Sequence, residues 1–87
     1  MNKKQRKILE LIFQDPVRSD IRWADIESLF KGFGGTIEER EGSRVCVKLE
    51  GVKLVFHRPH PKRITDKGAV KSVRKFLKDA GINHDEI

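Results

Sequence analysis

Two short runs in which apolar and polar residues alternate, RVCVKLE and VKLVFH, restrict the possible folds of this chain more than any other feature. A period of two is the pattern of a β-strand that buries one of its faces. Gly51 separates the runs, and Glu50-Gly51 suits the two-residue loop of a tight hairpin. The sequence therefore predicts an antiparallel β-hairpin.

The loop also sets the register, because each strand residue then has one partner across the hairpin. On the face that we expect to be buried, the predicted pairs are Leu49–Val52, Val47–Leu54 and Val45–Phe56. On the opposite face, the predicted pairs are Lys48–Lys53, Cys46–Val55 and Arg44–His57.

The rest of the chain supplies helices and one more strand. Apolar residues at helical spacing predict helices over 3–14, 23–33 and 66–80, and 36–41 is expected to be the first of three strands. The order helix, helix, three strands, helix predicts an α+β fold in which helices pack on a three-stranded antiparallel sheet. At 87 residues we expect a single domain, 1–87.

Residues that favour helix ends mark the predicted boundaries. Asp66 is a good N-cap for the last helix, and Gly34 is placed as a C-terminal cap for the second. Ser19 and Asp20 are candidate caps in the connector that precedes the second helix.

The charge of the chain points to a polyanionic partner. The net charge is +6, which favours nucleic acid, an acidic membrane surface or an acidic protein. No apolar run approaches the roughly 20 residues of a membrane span, and the basic start lacks the features of a secretory signal. The lone Cys46 can form no internal disulfide, and no cluster has zinc spacing. We therefore expect a cytoplasmic protein.

Basic residues on the predicted hairpin and last helix form a candidate nucleic-acid surface. Lysine opposite lysine is unfavourable on a bare hairpin, and a bound phosphate would remove that cost. The alternative is that these side chains are merely solvated and protect the sheet from aggregation. The candidate RNA-binding residues are Arg44, Lys48, Lys53, Arg58, Lys62, Arg63, Lys67, Lys71, Arg74 and Lys78.

Two histidines are candidate catalytic residues. His57 and His60 lie in FHRPHP, among arginines and lysines. Histidine titrates near neutral pH, so it can transfer a proton while a ribose 2′-hydroxyl attacks the adjacent phosphodiester. No metal is expected, because the clustered carboxylates of a magnesium site are missing from the sequence. Alternatively, His57 is a strand-end residue and His60 a turn residue without catalytic roles, and His84 is expected to be exposed.

Cys46 and Trp23 are expected to be structural. Cys46 has no second cysteine with which to act, and we expect the N-terminal helix to cover it and Val55 with Ile8 and Ile12. Trp23 begins the apolar stripe of its helix, which favours a place in the core over a role in base stacking.

A resemblance to the HicA toxins of bacterial and archaeal toxin–antitoxin pairs extends over nearly all of residues 21–82. It is carried by IRWADIESLFKGFGGTIEEREGSRVCVKLEGVKLVFHRPHP and by DKGAVKSVRKFLKDAGI. Its signatures are a helix ending in Gly, a Gly-Ser turn before the second strand, a proline-flanked histidine after the third, and a final Ala-Gly-Ile. The helix at 3–14 is an addition to this pattern.

The resemblance implies a double-stranded-RNA-binding-like fold, an mRNA-cleaving toxin that stops translation, and a HicB-type antitoxin that covers the toxic surface. Typical members carry a catalytic histidine directly after the Gly-Ser turn, where this chain has Arg44 and Val45. Either the proton-transfer role has moved to His57, with Arg44 holding the phosphate, or the chain binds RNA without cleaving it.

Two main functions therefore stay open. The first is a metal-independent ribonuclease without a cofactor, and the second is a non-catalytic RNA-binding module that uses the same surface. DNA binding is expected, if at all, only within a toxin–antitoxin complex, because no helix-turn-helix pattern is visible.

Overall fold

The computed structural model describes residues 1–82 and confirms the predicted α+β fold. The predicted helices and the three main strands are all present, with ends displaced by at most two residues. In chain order the elements are α1 (Lys3–Ile12), β1 (Ile21–Arg22), α2 (Trp23–Gly32), β2 (Thr36–Glu39), β3 (Arg44–Leu49), β4 (Val52–His57), β5 (Ile64–Thr65) and α3 (Lys67–Asp79).

The main sheet has the strand order β2-β3-β4 and is antiparallel throughout. All six predicted pairs of the β3–β4 hairpin are confirmed, including Arg44 opposite His57 and Lys48 opposite Lys53. Glu50 and Gly51 form the loop with φ angles of 49° and 78°, the two positive values that a type I′ turn requires. The alternation pattern therefore determined the register correctly.

A second, two-stranded sheet was not predicted. Its strands, β1 and β5, pair antiparallel with Ile21 opposite Thr65 and Arg22 opposite Ile64. Two-residue strands are too short to show a periodicity in sequence. This pairing also corrects the expected caps of α2, because its N-cap is Arg22, which makes no side-chain capping bond, rather than Ser19 or Asp20.

The other predicted helix ends are confirmed. Asp66 is the N-cap of α3, and its carboxylate accepts a hydrogen bond of 2.7 Å from the Ala69 N–H. Gly34 follows α2 with a φ of +84°, and its N–H donates to the Lys31 carbonyl while the Gly35 N–H donates to that of Phe30. These two bonds are those of a Schellman motif.

One hydrophobic core joins the three helices to the inner face of the main sheet. Trp23, Phe30, Phe56 and Phe76 meet in its centre, with ring centroids 5.5–6.4 Å apart. Trp23 is only 4% exposed, which confirms its predicted place in the core. Burial of each such ring stabilises the fold by roughly 1.5–3 kcal/mol.

The position of α1 corrects one prediction. α1 packs against α2 and α3, where Ile8 and Ile12 enter the core, and it does not cover Cys46 and Val55. Val55 is 44% exposed. The physical reason is the area that α1 can bury. The groove between α2 and α3 offers α1 far more apolar surface than Cys46 and Val55, which are small and lie among charged side chains.

Polar contacts also fix α1 in place. The Gln5 amide donates to the Ser28 carbonyl of α2 at 2.9 Å. Arg74 of α3 donates to the carbonyls of Ile12, the last residue of α1, and of Gln14, two residues further on, at 2.8–3.0 Å. Among the helices of residues 1–82, none has the length and apolar character to cross a membrane.

Candidate nucleic-acid interface

The face of the main sheet that points away from the helices carries several cations on the β3–β4 hairpin, and Glu38 of β2 lies beside them, opposite Cys46. We call it the outer sheet face and define it by Arg44, Cys46, Lys48, Lys53, Val55 and His57. The hairpin register places these six side chains together on one side. All except Cys46 are exposed, so the face presents three cations and an imidazole to solvent.

Arg44 and His57 form the end of this face that has the chemistry of a phosphodiester site. They lie directly opposite each other across the β3–β4 ladder, and both are exposed. Within residues 1–82, no side-chain hydrogen bond or ion pair engages either of them. Side chains directly opposite in an antiparallel pair have Cβ atoms about 4.5–5.5 Å apart, so one phosphate can contact both.

Cys46 lies at the centre of the outer sheet face but is only 1% exposed. The Arg40 guanidinium lies against its sulfur, and Arg40 also forms an ion pair of 3.2 Å with Glu38. Contact with the Cys46 sulfur and the charge of Glu38 both raise the pKa of Arg40 above its ordinary value. The buried thiol therefore packs as a structural group beneath a charged layer.

Arg58 already has partners inside the protein. Its guanidinium donates to the Glu27 carboxylate at 2.8–3.1 Å and to both oxygens of Glu39 at 2.7 Å. Glu27 also accepts a hydrogen bond from the Trp23 indole. The bonds to Glu27 and Glu39 raise the pKa of Arg58, and those from Arg58 lower the pKa of Glu39. The positive charge of Arg58 is thus largely neutralised.

A cleft of about 450 Å³ opens beside this ion-pair cluster. His60 lies on its wall together with Ser43 of the Gly-Ser turn, so two of the short motifs of the sequence meet there. Arg22 and Arg63 are exposed in the same wall, and neither side chain has an ion pair within the described residues. The lining includes Arg22, Trp23, Ser43, Arg58, His60 and Arg63.

The predicted cations of α3 do not join the outer sheet face. Arg74 is bound to the carbonyls of Ile12 and Gln14 and to Asp15, and the Lys78 ammonium lies 5.8 Å from the centre of the Phe13 ring. These contacts direct the basic stripe of α3 towards α1. Lys62, Lys67 and Lys71 are exposed.

Three residues of this region were missed in the sequence. Arg22, Glu27 and Ser43 were not considered as site residues, and Glu27 meets Arg58 across 31 positions of the chain. No local pattern encodes such a contact, because it forms only when α2 packs beside the end of β4. One indication of this role was present in the sequence: Glu27 lies one helical turn after Trp23, a spacing at which two helical side chains can contact each other.

Comparison with protein families identifies the chain. A family model described as the HicA toxin of bacterial toxin–antitoxin systems matches residues 23–82, well over half of the sequence. The chain belongs to the HicA toxin family. Neither a curated protein nor a solved structure was found to match it.

The family model covers the candidate site but not the N-terminal elements. The matched residues begin at Trp23, so α1 and β1 lie outside the family model. They include Arg44, which stands directly after the Gly-Ser turn, and His57 opposite it. The family resemblance leads us to expect a histidine on β3, directly after the Gly-Ser turn. In this chain the imidazole is that of His57, on the neighbouring strand β4. His84 lies outside the described residues, and within 1–82 no group of three metal-binding side chains is present.

Proposed function

We propose that this HicA-family toxin cleaves RNA without a metal ion, inhibits translation by cutting mRNA, and is neutralised by a HicB-type antitoxin. The observation that carries the proposal is the exposed Arg44–His57 pair at the end of a basic sheet face. In cleavage of a phosphodiester by its own ribose, an imidazole can accept the proton of the 2′-hydroxyl and a cation can stabilise the charge that develops on the phosphate.

In the proposed reaction, the His57 imidazole takes the proton of a ribose 2′-hydroxyl while that oxygen attacks the adjacent phosphorus. The bond from phosphorus to the 2′-oxygen forms, and the bond to the 5′-oxygen of the next nucleotide breaks. The departing oxygen takes up a proton from water, and the hydroxide that remains takes the proton from the His57 imidazolium. The products are a 2′,3′-cyclic phosphate and a 5′-hydroxyl, and His57 is restored. Arg44 stabilises the additional negative charge on the phosphate oxygens.

His60 is the second candidate for proton transfer. It lines the cleft beside Ser43 rather than the outer sheet face. The two histidines therefore correspond to two different positions for the scissile phosphate. Substituting each histidine separately distinguishes these positions.

The test is cleavage of a labelled mRNA fragment in the presence of a chelator by the parent chain and by His57→Ala, His60→Ala and Arg44→Ala. We expect the His57 substitution to lower the cleavage rate by about 10²–10⁴-fold, the usual contribution of general acid–base catalysis. His84→Ala, which removes the third histidine of the sequence, is the matched control. Full activity of His57→Ala with loss of activity in His60→Ala would move the site to the cleft.

A non-catalytic RNA-binding module is the second candidate, and the arginine after the Gly-Ser turn favours it. It predicts binding that weakens with salt, because phosphate contacts release counterions, but no fragments from the parent chain in a chelator. Intact RNA recovered from a complex that forms in low salt would support this second function.

The proposed antitoxin would meet the same basic face. Charge complementarity mainly accelerates association and selects the partner, so an acidic surface on the HicB-type protein is expected. DNA enters the proposal only through that toxin–antitoxin complex.

A further inference from the structure

We propose that the cleft between α2, the end of β4 and the segment before β5 binds one nucleotide of single-stranded RNA, next to the bond that is cleaved. Arg22 and Arg63 would hold its phosphate. The proposal rests on the proposed RNA-cleaving function, because it extends the same strand by one position beyond the Arg44–His57 pair.

The second sheet brings the two arginines together. Arg22 pairs with Ile64, the residue directly after Arg63, and the Trp23 N–H donates to the Arg63 carbonyl at 3.1 Å. Arg63 has a φ of +60°, an uncommon conformation for a residue with a side chain. This uncommon backbone conformation therefore occurs at a residue that lines the cleft beside Arg22.

The charge of the cleft is not balanced by the protein. Arg58 is neutralised by Glu27 and Glu39, whereas Arg22 and Arg63 have no ion pair within the part of the chain that the structure describes. Both arginines line the same cavity, and a guanidinium group without an ion pair can bind a phosphate through two parallel hydrogen bonds. The adjacent imidazole of His60 adds a donor when it is protonated.

The shape of the cleft suits a nucleotide rather than an isolated ion. Its volume of about 450 Å³ lies within the range of small-molecule sites. Ala24, Pro59 and the edge of Trp23 supply apolar wall beside the arginines. A phosphate on the charged side would leave the attached base against this apolar side.

The cleft adjoins the proposed cleavage point. Ser43 in its wall precedes Arg44, Arg58 in its wall follows His57, and the Arg58 N–H donates to the Ser43 carbonyl at 2.8 Å. One strand of RNA can therefore pass from the outer sheet face over this backbone bond into the cleft.

The test measures binding of a fluorescein-labelled 2′-O-methyl RNA 12-mer, which cannot be cleaved because it has no free 2′-hydroxyl. Each single-stranded phosphate contact contributes about 0.7 to the slope of log affinity against log salt concentration. We expect the double variant Arg22→Gln, Arg63→Gln to lose one such contact and to bind about 10-fold more weakly in low salt. Lys7→Gln with Lys31→Gln is the control with the same loss of charge, since both are exposed cations without an ion pair in residues 1–82.

A second measurement uses the unmodified chain and so does not depend on the folding of a variant. Titration with adenosine 5′-monophosphate should shift the NMR signals of the Trp23 indole and of the Arg22, His60 and Arg63 amides, and leave that of Lys31 unchanged. An unchanged salt slope in the double variant, or shifts confined to the outer sheet face, would overturn the proposal. Binding is read without cleavage, so a His57→Ala variant that still cleaves RNA and still binds in the cleft would contradict only the proposed catalytic role of His57.

Discussion

Arg58 joins three elements of the fold through a single guanidinium group. It leaves the end of β4 and bonds to Glu27 of α2 and Glu39 of β2, while the Trp23 indole completes the hydrogen bonding of Glu27. The Glu27 side chain is only 14% exposed, so its carboxylate has little contact with water and depends on these hydrogen bonds for solvation. A residue that looks in sequence like one more RNA-binding cation therefore has a structural partner, and its removal should affect stability first.

We expect Arg58→Ala to lower the free energy of unfolding by about 1–3 kcal/mol, because it leaves a poorly solvated carboxylate without its partner. Urea unfolding followed by tryptophan fluorescence measures the change. Lys62→Ala is the control, because an exposed lysine without an ion pair in residues 1–82 should change stability by less than about 0.5 kcal/mol. Equal stabilities of the two variants would contradict the structural role.

At the scale of elements, the β3–β4 hairpin sets the position of the candidate site. Its two-residue turn is the reason that Arg44 meets His57, since a loop one residue longer would shift the pairing by one residue and turn one of them to the core side. Gly51 makes this turn possible with a φ of +78°. The conformation of Gly51 in the loop thus helps to determine that Arg44 and His57 lie opposite each other at the far end of the hairpin.

A matched pair of glycine substitutions tests this dependence. Gly51→Ala should destabilise the fold by about 1 kcal/mol through backbone strain alone, because the new methyl group meets no other atom. Gly68→Ala should stabilise by about 0.5–1 kcal/mol, since Gly68 lies within α3 and its added carbon would make only an ordinary contact with Asp66 at 3.5 Å. Thermal unfolding of both variants gives the two signs, and a stabilised Gly51→Ala would refute the turn argument.

At the scale of the molecule, the cations that the sequence singled out for RNA binding fall into two groups that lie apart. The outer sheet face and the cleft lie at the β3–β4 side, whereas the stripe on α3 faces α1 and includes Arg74, which is bound to the carbonyls of Ile12 and Gln14. A net charge of +6 therefore does not describe one uniform binding surface. If RNA binds the outer sheet face, charges of the same sign should contribute unequally.

Two double variants with equal loss of charge test this expectation. Lys48→Gln with Lys53→Gln should reduce the salt dependence of RNA binding by up to about 1.4 in slope, the value for two single-stranded phosphate contacts. Lys71→Gln with Lys78→Gln should reduce it much less. Equal effects would indicate that RNA responds only to net charge and would contradict a localised interface.

The sequence by itself determined the hairpin register, the helix stripes and the α+β order, because these depend on periodicity and turn chemistry within a few residues. The pairing of Arg44 with His57 belongs to this group, since one loop fixes it. The place of α1 did not, because its apolar stripe could cover any apolar surface, and only the assembled groove between α2 and α3 offered enough area.

Only the tertiary structure decided which cations are free. Arg58 and Arg63 are close in sequence and alike in chemistry, yet α2 brings Glu27 to Arg58, while the pairing of β1 with β5 brings Arg22 beside Arg63. Charge is a property of a residue, but neutralisation of charge is a property of contacts between distant residues. For this reason the sequence indicated a basic surface, and the packing of the elements selected the part of it that is available to a phosphate.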